Sequence, residues 1–428
     1  MSRKILEKVL RWCTRRILKK YKPAVIGVAG SVGKTTTREA IAAVLSQQFS
    51  VRQSIRSYND GIGVPMTIIG LESPGKSVAG WVTVFFYVAR LLLTRMSYPK
   101  KLIVEMGTDR PGDIAYLTEM CPPDVAVLTA ISPEHYEYFK SMERLEDEEK
   151  TIVRALRPGG VAVLNGDDAR VMGESATIPG PVMTFGFGDH VDMRVAHAAM
   201  VRDEHRVQGM EFGLTLGQRS LHARVEGVIG TQHGYALAAA AAVGVHFGME
   251  DADIEKGLSL YRAAPGRMRL IEGVKHTTII DDTYNASPRA AQVAVETLAK
   301  TPVGSERGER YAVLGDMLEL GSITREEHED LGRIVVDNKI DFLITVGPAS
   351  KHSAAAALDE GMDEHRIAKF DTSVAAGAFL QEKLEVGDVV LVKGSQGVRM
   401  EKIVREIMAR PEDAPTLIAR TYGKWLED

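Results

Sequence analysis

The sequence predicts an α/β fold, with a doubly wound, mainly parallel sheet followed by a second α/β region that builds a sheet of its own. Three observations carry this. Residues 25–39, VIGVAGSVGKTTTRE, run from a β-branched strand through a glycine-rich turn into a helix-forming segment. Between residues 101 and 168, apolar strands that end in polar tips recur with helical patterns between them. Beyond residue 270, the stretches TTIIDDTYNASP, YAVLGDM, FLITVG and DVVLVKGS read as four more buried strands, each leading into a helix.

At 428 residues the chain is too long for one core, and two or three domains are expected. Lys and Arg (53) nearly balance Asp and Glu (57), which argues against a general nucleic-acid binder. Cys13 and Cys121 offer neither a disulfide framework nor metal-ligand spacing, and they fit a reducing cytoplasm. The basic N-terminus is not followed by an uninterrupted apolar run, so no cleavable signal is expected.

Residues 1–22 place Ile5, Leu6, Val9, Leu10, Trp12, Cys13, Ile17 and Leu18 on one helical face and eight Lys or Arg residues on the other. Two readings stand: a basic helix lying on an anionic membrane surface, or a helix packed on its own domain with its basic face solvated. Pro23 ends it. Next, Gly30, Ser31, Val32, Gly33, Lys34, Thr35 and Thr36 form a phosphate-binding loop of the P-loop ATPase kind, although the glycine that the full pattern sets at Val28 is missing. The glycines let backbone N–H groups point at phosphate oxygens, Lys34 supplies a point charge, and a threonine hydroxyl can ligate Mg²⁺.

In SYNDGIGVPMTIIGL (57–71), Asn59, Asp60, Gly61 and Gly63 are turn formers, and Pro65 opens an apolar segment. VAGWVTVFFYVARLLLT (78–94) is apolar except for Arg90, is short for a membrane span, and reads as a buried or interfacial helix. KLIVEMG (101–107) is a buried parallel strand with Glu105 near its C-terminal end, where open α/β sheets bind ligands; Glu105 is a Mg²⁺ ligand or a surface acid. DVAVLTAISPEH (124–135) repeats the pattern with His135 at its tip, followed by an acidic helix (142–156) and the strand GGVAVLNGDD (159–168). Residues 182–229 read as antiparallel hairpins, 235–247 and 250–260 as helices, and AAPGRMR (263–269) as a hinge carrying Arg267 and Arg269.

Taken together, these motifs resemble the Mur ligases, ATP-dependent amide-forming enzymes of peptidoglycan precursor synthesis. AGSVGKTTTRE, NDGIGVP, EMGTDRPGDI, ISPEH, VAVLNGDD, PGRMR, DDTYNASP, VLGDMLELG and VLVKGSQGVRMEKI occur in the family's order from residue 27 to 403. VLGDMLELG and the KGS stretch mark the branch that joins D-alanyl-D-alanine to a UDP-muramoyl-peptide. The resemblance implies three parts: a basic helix (1–22), an ATP-binding central domain (23–268) and a Rossmann-like C-terminal α/β domain (269–428). It implies ATP and Mg²⁺ as cofactors and an acyl-phosphate route. Lys34 and the rest of the loop would hold ATP phosphates, Thr35 and Glu105 Mg²⁺, and His135 a second Mg²⁺. Arg267 would reach the phosphates as the domains close, Asp282, Tyr284 and Asn285 would flank the nucleotide, and Lys393 and Ser395 would face the amine. Asn59 falls on the substrate side.

Three features depart from the family. Its N-terminal domain for the uridine-diphosphate end has only the basic helix in its place here. The resemblance implies a catalytic lysine, often carbamylated and Mg²⁺-binding, and Lys150 is the candidate for it, although it lies about one position off the family's register, where Glu149 stands. Its His-Asn pair near the adenine reads Gln232-His233. Two rival readings share the loop: a folylpolyglutamate-synthase-like ligase and a catalytically weak ATP-binding partner protein. The expected setting is cytoplasmic, with attachment to a membrane periphery or a protein partner through residues 1–22 and 78–94 left open.

Overall fold

A computed structural model describes residues 3–55, 58–133, 136–173, 175–204 and 206–421. The chain opens with α1 (Arg3–Tyr21), β1 (Ala24–Ala29), α2 (Lys34–Leu45), β2 (Val51–Gln53), α3 (Gly63–Ile69) and α4 (Val78–Leu93). It continues through β3 (Lys101–Glu105), α5 (Asp113–Met120), β4 (Val125–Leu128), α6 (Tyr136–Phe139), α7 (Met142–Arg154), β5 (Val161–Asn165) and α8 (Ala169–Met172). Strands β6 (Val182–Gly186), β7 (Met193–Arg202), β8 (Val207–Leu216) and β9 (Arg219–Glu226) precede α9 (Gln232–His246) and α10 (Asp251–Leu260).

These strands form one sheet in the order β2-β3-β1-β4-β5-β6-β7-β8-β9, parallel from β2 to β7 and antiparallel from β7 to β9. The near-continuous apolar runs of the central strands follow from burial on both faces. In β4, Val125 and Val127 join the side covered by α2 and α9, whereas Ala126 and Leu128 join the side covered by α1, α3 and α5. Residues 236–242 of α9, six alanines and Leu237, are all buried, which suits a helix pressed close to its neighbours.

The second sheet comes from β10 (Arg269–Glu272), β11 (Thr278–Asp282), α11 (Pro288–Lys300), β12 (Arg310–Gly315), α12 (Thr324–Asp337), β13 (Phe342–Val346), α13 (Lys351–Asp359), β14 (Ile367–Phe370), α14 (Ser373–Lys383), β15 (Val389–Lys393) and α15 (Glu401–Ile407). Its order is β10-β11-β15-β12-β13-β14, with β10 antiparallel and the rest parallel. Strand β15 thus inserts between β11 and β12.

The architecture refines four sequence expectations. Within 182–229 only β7, β8 and β9 are antiparallel; β6 pairs in parallel on both sides, so the ribbon extends the main sheet. The edge strands β10 and β14 are additional, because short half-exposed strands carry no continuous apolar run. In α1, Leu6, Leu10, Cys13, Ile17 and Leu18 are buried against the chain's own helices, while Ile5 and Trp12 point outward. In α4 only Val84, Val88 and Leu91 are buried, and the opposite side is open to solvent.

Candidate active site

Parallel register brings the C-terminal ends of β1, β3 and β4 to one edge: Val28 lies opposite Glu105, and Ala29 opposite Leu128. From there the chain enters the phosphate loop through Gly30 at φ +123° and leaves it through Gly33 at φ +91°. A Cβ at Gly30 would lie 2.3 Å from Thr129 Oγ1, so the close approach as well as the backbone angle demands glycine. Thr129 Oγ1 donates to Val32 O (2.7 Å), and Ser31 N–H donates to Ala130 O (2.7 Å), which moors the loop to the end of β4. Gly33 provides no side-chain cap for α2, so the first amides of that helix face the loop without intrahelical partners. Lys34 Nζ folds over the loop and donates to Ser31 O (3.1 Å) and Gly30 O. A loop of this shape is an anion cradle.

Two buried carboxylates border it. Glu105 Oε2 accepts from Thr35 Oγ1 (3.0 Å) and from Arg38 Nη1 (3.1 Å), all three residues being buried. Mg²⁺ keeps most of its water and takes one or two protein oxygens alongside substrate phosphates. The adjoining hydroxyl and carboxylate fit that demand; among the described residues no group of three or more His, Cys, Asp or Glu could enclose a metal alone. The donor set therefore suits a Mg²⁺ shared with phosphate.

Glu149 is the second carboxylate: its Oε2 accepts from Gly30 N–H at 2.8 Å. Lys150 behaves differently from the sequence expectation. Its Nζ pairs with Glu146 Oε1, which sits beside Arg170 of α8, and it lies close to Gly173. Successive helix residues diverge by about 100°, so a one-residue offset aims the glutamate at the loop and turns the lysine aside. His135 lies outside the described residues. Asn59 sits two residues' reach from Glu105, its carbonyl accepting from Gly107 N–H at 3.1 Å.

The hinge delivers Arg267 to the same edge. Its Nη2 stands 3.5 Å from Thr35 Oγ1, and its guanidinium lies 4.0 Å above the Tyr284 ring. Arg267 Nε is buried with no hydrogen-bond partner among the described residues, as befits a group that faces an anion. Gly266, at φ +72°, donates its N–H to Asp281 Oδ2 (3.0 Å), and Met268 N–H donates to Asp282 Oδ1 (3.2 Å), so the tip of β11 sets the hinge. Burial pushes the Asp281 carboxyl up to about 6.

Lys393 and Ser395 are both buried, contrary to an expectation that they face a substrate directly. Because Lys393 lies opposite Asp282 in the β11–β15 register, Lys393 Nζ donates to Asp282 Oδ2 (2.5 Å), and it also reaches Asn285 O (3.0 Å). Ser395 Oγ accepts from Leu318 N–H at 2.9 Å. Asp282, Tyr284 and Asn285 nevertheless share this edge.

His233 is core rather than an exposed base-binding group: it is fully buried, Nδ1 lies 3.1 Å from Tyr261 Oη, and burial pulls its imidazole down to about 4. Sequence reading did not single out two supporting residues. Arg38 was legible in principle, standing three positions after Thr35 on one helix face. Arg420 was not: it arrives from the far end of the chain to donate to Thr283 O (3.1 Å), Tyr284 O and Glu401 Oε2 (2.9 Å).

Comparison with known proteins agrees with this geometry. The Mur ligase middle domain profile matches residues 87–244, and the profile described as Mur ligase, glutamate ligase domain, matches residues 266–396. The UDP-N-acetylmuramoyl-tripeptide–D-alanyl-D-alanine ligase of Bacillus subtilis is 28% identical over 404 residues, covering 94% of this chain and 79% of that protein. The MurF ligase of Thermotoga maritima, solved in complex with ADP, has a TM-score of 0.76 at 26% identity, covering 94% of this chain and 83% of that one. The MurF of Acinetobacter baumannii gives 0.77 at 25%, covering 94% and 81%. The chain belongs to the Mur ligase family of ATP-dependent, amide-bond-forming ligases.

Proposed function

We propose that this ligase joins D-alanyl-D-alanine to a UDP-N-acetylmuramoyl-tripeptide, in the cytoplasm, through an acyl phosphate. A carboxylate is a poor electrophile. Transfer of the γ-phosphoryl group of ATP to the peptide carboxylate releases ADP and leaves an acyl phosphate. The amine then attacks the carbonyl, loses a proton and expels inorganic phosphate.

The chain's own residues divide this work. Lys34 and the amides of residues 30–36 orient the phosphates and stabilise charge on the transferring group. Arg267, standing over Tyr284 and beside Thr35, meets the same charge from the hinge. Thr35 and Glu105 would hold Mg²⁺, which when bound neutralises β- and γ-phosphate oxygens. Glu149 fixes the Gly30 peptide from behind. Asn59 stands on the side of the acceptor substrate. Asp282, Tyr284 and Asn285 line the nucleotide side of the second sheet, with Lys393 holding the Asp282 carboxylate and the Asn285 carbonyl, and Ser395 the neighbouring Ala286 carbonyl. The division of labour follows the proposed boundaries: a helix at 1–22, a nucleotide unit at 23–268 and an amine-side unit at 269–428.

The observation that carries this reading is Arg267, a half-buried guanidinium from the hinge set against the phosphate loop, whose buried Nε has no hydrogen-bond partner among the described residues. The test is ADP release from ATP with UDP-muramoyl-tripeptide, in the presence and absence of D-alanyl-D-alanine. Turnover that requires both the acceptor and the amine is expected. ADP release independent of the amine would overturn the ligase reading in favour of a nucleotide-binding partner protein.

A further inference from the structure

Helix α4 is apolar on the side that faces away from the protein. Val78, Val82, Phe86 and Leu93 are 78%, 65%, 74% and 85% exposed, and their spacing of four, four and seven sets them in one stripe along the helix. The helix is nonetheless firmly seated. Val84, Val88 and Leu91 are buried, and at its C-terminal end the carbonyls of Leu91, Leu92 and Thr94 accept from Lys20 Nζ of α1, with Tyr21 Oη on Leu91 O (2.9 Å). The stripe is therefore a held surface rather than a loose segment. Four large exposed side chains in a row amount to a patch on the order of several hundred Å², the size that marks an interaction site.

Charge identifies the occupant. From Ser73 to Val104 the sequence contains no Asp or Glu, while Lys76, Arg90 and Arg95 flank the stripe and are exposed. Helix α1 adds outward-facing Trp12, with Arg16 stacked 5.4 Å over its ring. A second copy docked through the same stripe would bring these cations together, which disfavours self-pairing. An apolar stripe with cationic flanks is the pattern of a helix that lies in the plane of an anionic lipid surface. Among the described residues no helix is long and apolar enough to cross a membrane, so this contact is peripheral.

We propose that α4 is an in-plane docking helix that seats the protein on anionic lipid, its apolar stripe entering the acyl boundary and Lys76, Arg90 and Arg95 meeting headgroup phosphates. The site is separate from the phosphate loop and does not depend on the reaction assigned to it.

The test is co-sedimentation of the full-length protein with phosphatidylcholine vesicles that contain or lack phosphatidylglycerol, at low and high salt. Val82→Ser/Phe86→Ser and Arg90→Glu/Arg95→Glu are the variants, both at exposed positions. Wild type is expected to bind phosphatidylglycerol vesicles at least tenfold more strongly than phosphatidylcholine alone. High salt and the charge reversal should each remove most of that preference, and the serine pair should abolish binding even at low salt. Wild type remaining in the supernatant at low salt overturns the proposal. So does equal binding by the serine pair, or a concentration-dependent dimer of wild type in sedimentation velocity that the serine pair abolishes. Amine-dependent ADP release, measured on the same preparations without vesicles, is expected to be unchanged in both variants, so failure here is distinguishable from failure of the ligase reading.

Discussion

Glu105→Gln separates metal binding from loop support. The substitution keeps the size of the side chain and an oxygen for the Thr35 hydroxyl, and it deletes the charge. In the structure that charge also answers Arg38, whose side chain is 2% exposed against 3% for Glu105. Removing one partner of a buried ion pair costs about 3–5 kcal/mol. Arg38 keeps a second carboxylate, Glu39, so the lower end applies. About 3 kcal/mol corresponds to a fall in Tm of roughly 6–12 °C for a domain of a few hundred residues. The assay pairs thermal unfolding with Mg²⁺ titration of ADP binding, measured calorimetrically well below the lowered Tm. Apparent Mg²⁺ affinity should fall in Glu105→Gln and stay low in Glu105→Gln/Arg38→Met, whereas the double variant should recover much of the lost stability. A Tm within a degree of wild type would refute the ion-pair argument. An unmoved Mg²⁺ curve would refute the metal role, and the two results are independent.

Lys34→Ala is expected to lower turnover on the order of 10²-fold or more with Tm nearly unchanged, since the lysine is half-exposed and acts on charge that develops in the reaction; near-native turnover would remove the phosphate loop from the mechanism. Glu149→Gln weakens the hold on the Gly30 peptide by about 1–2 kcal/mol and should raise the dissociation constant for ADP roughly tenfold, while Lys150→Ala should leave nucleotide affinity intact; the reverse order, read by the same calorimetry, would restore the lysine to the site. His233 titrates near 4 in the fold against 6.5 as its ordinary value. A depressed histidine contributes stability in full above 6.5, and that contribution is lost as the pH falls through 4, by up to roughly 3 kcal/mol. Denaturant midpoints at pH 7 and pH 5 should therefore converge for His233→Gln relative to wild type, and parallel pH dependence of the two proteins would contradict the burial argument.

Much of this site was legible because its geometry is encoded locally. A β-branched run, two glycines and a helix former leave few ways to build residues 25–39, and a parallel sheet then places Glu105 at the same edge. The register of α7 was less legible: a helix advances about 100° per residue, so reading Lys150 in place of Glu149 exchanges a loop-facing group for one paired with Glu146. Helix α4 hid its orientation for the opposite reason. With valine, phenylalanine and leucine on all sides, 78–94 carries no polar stripe to say which face is inward, and only packing against α1 decides it. Lys393 and Ser395 were recognised as strand-tip residues, but their depth depends on the Asp282 register and on Leu318, both distant in sequence.

The insertion of β15 between β11 and β12 has a consequence for the order in which the molecule can mature. As the chain emerges from synthesis, β11 and then β12 to β14 are available long before β15, and until it arrives their facing edges have no partner. The second sheet must wait as two incomplete halves with open hydrogen-bonding edges, the state most exposed to wrong pairing. Lys393 travels at the tip of that late strand, and Arg420 follows it to clasp Thr283 and Tyr284. Closing the sheet and fixing the loop at 283–285 therefore both depend on residues that are made last, and a nascent chain stalled before residue 389 holds neither.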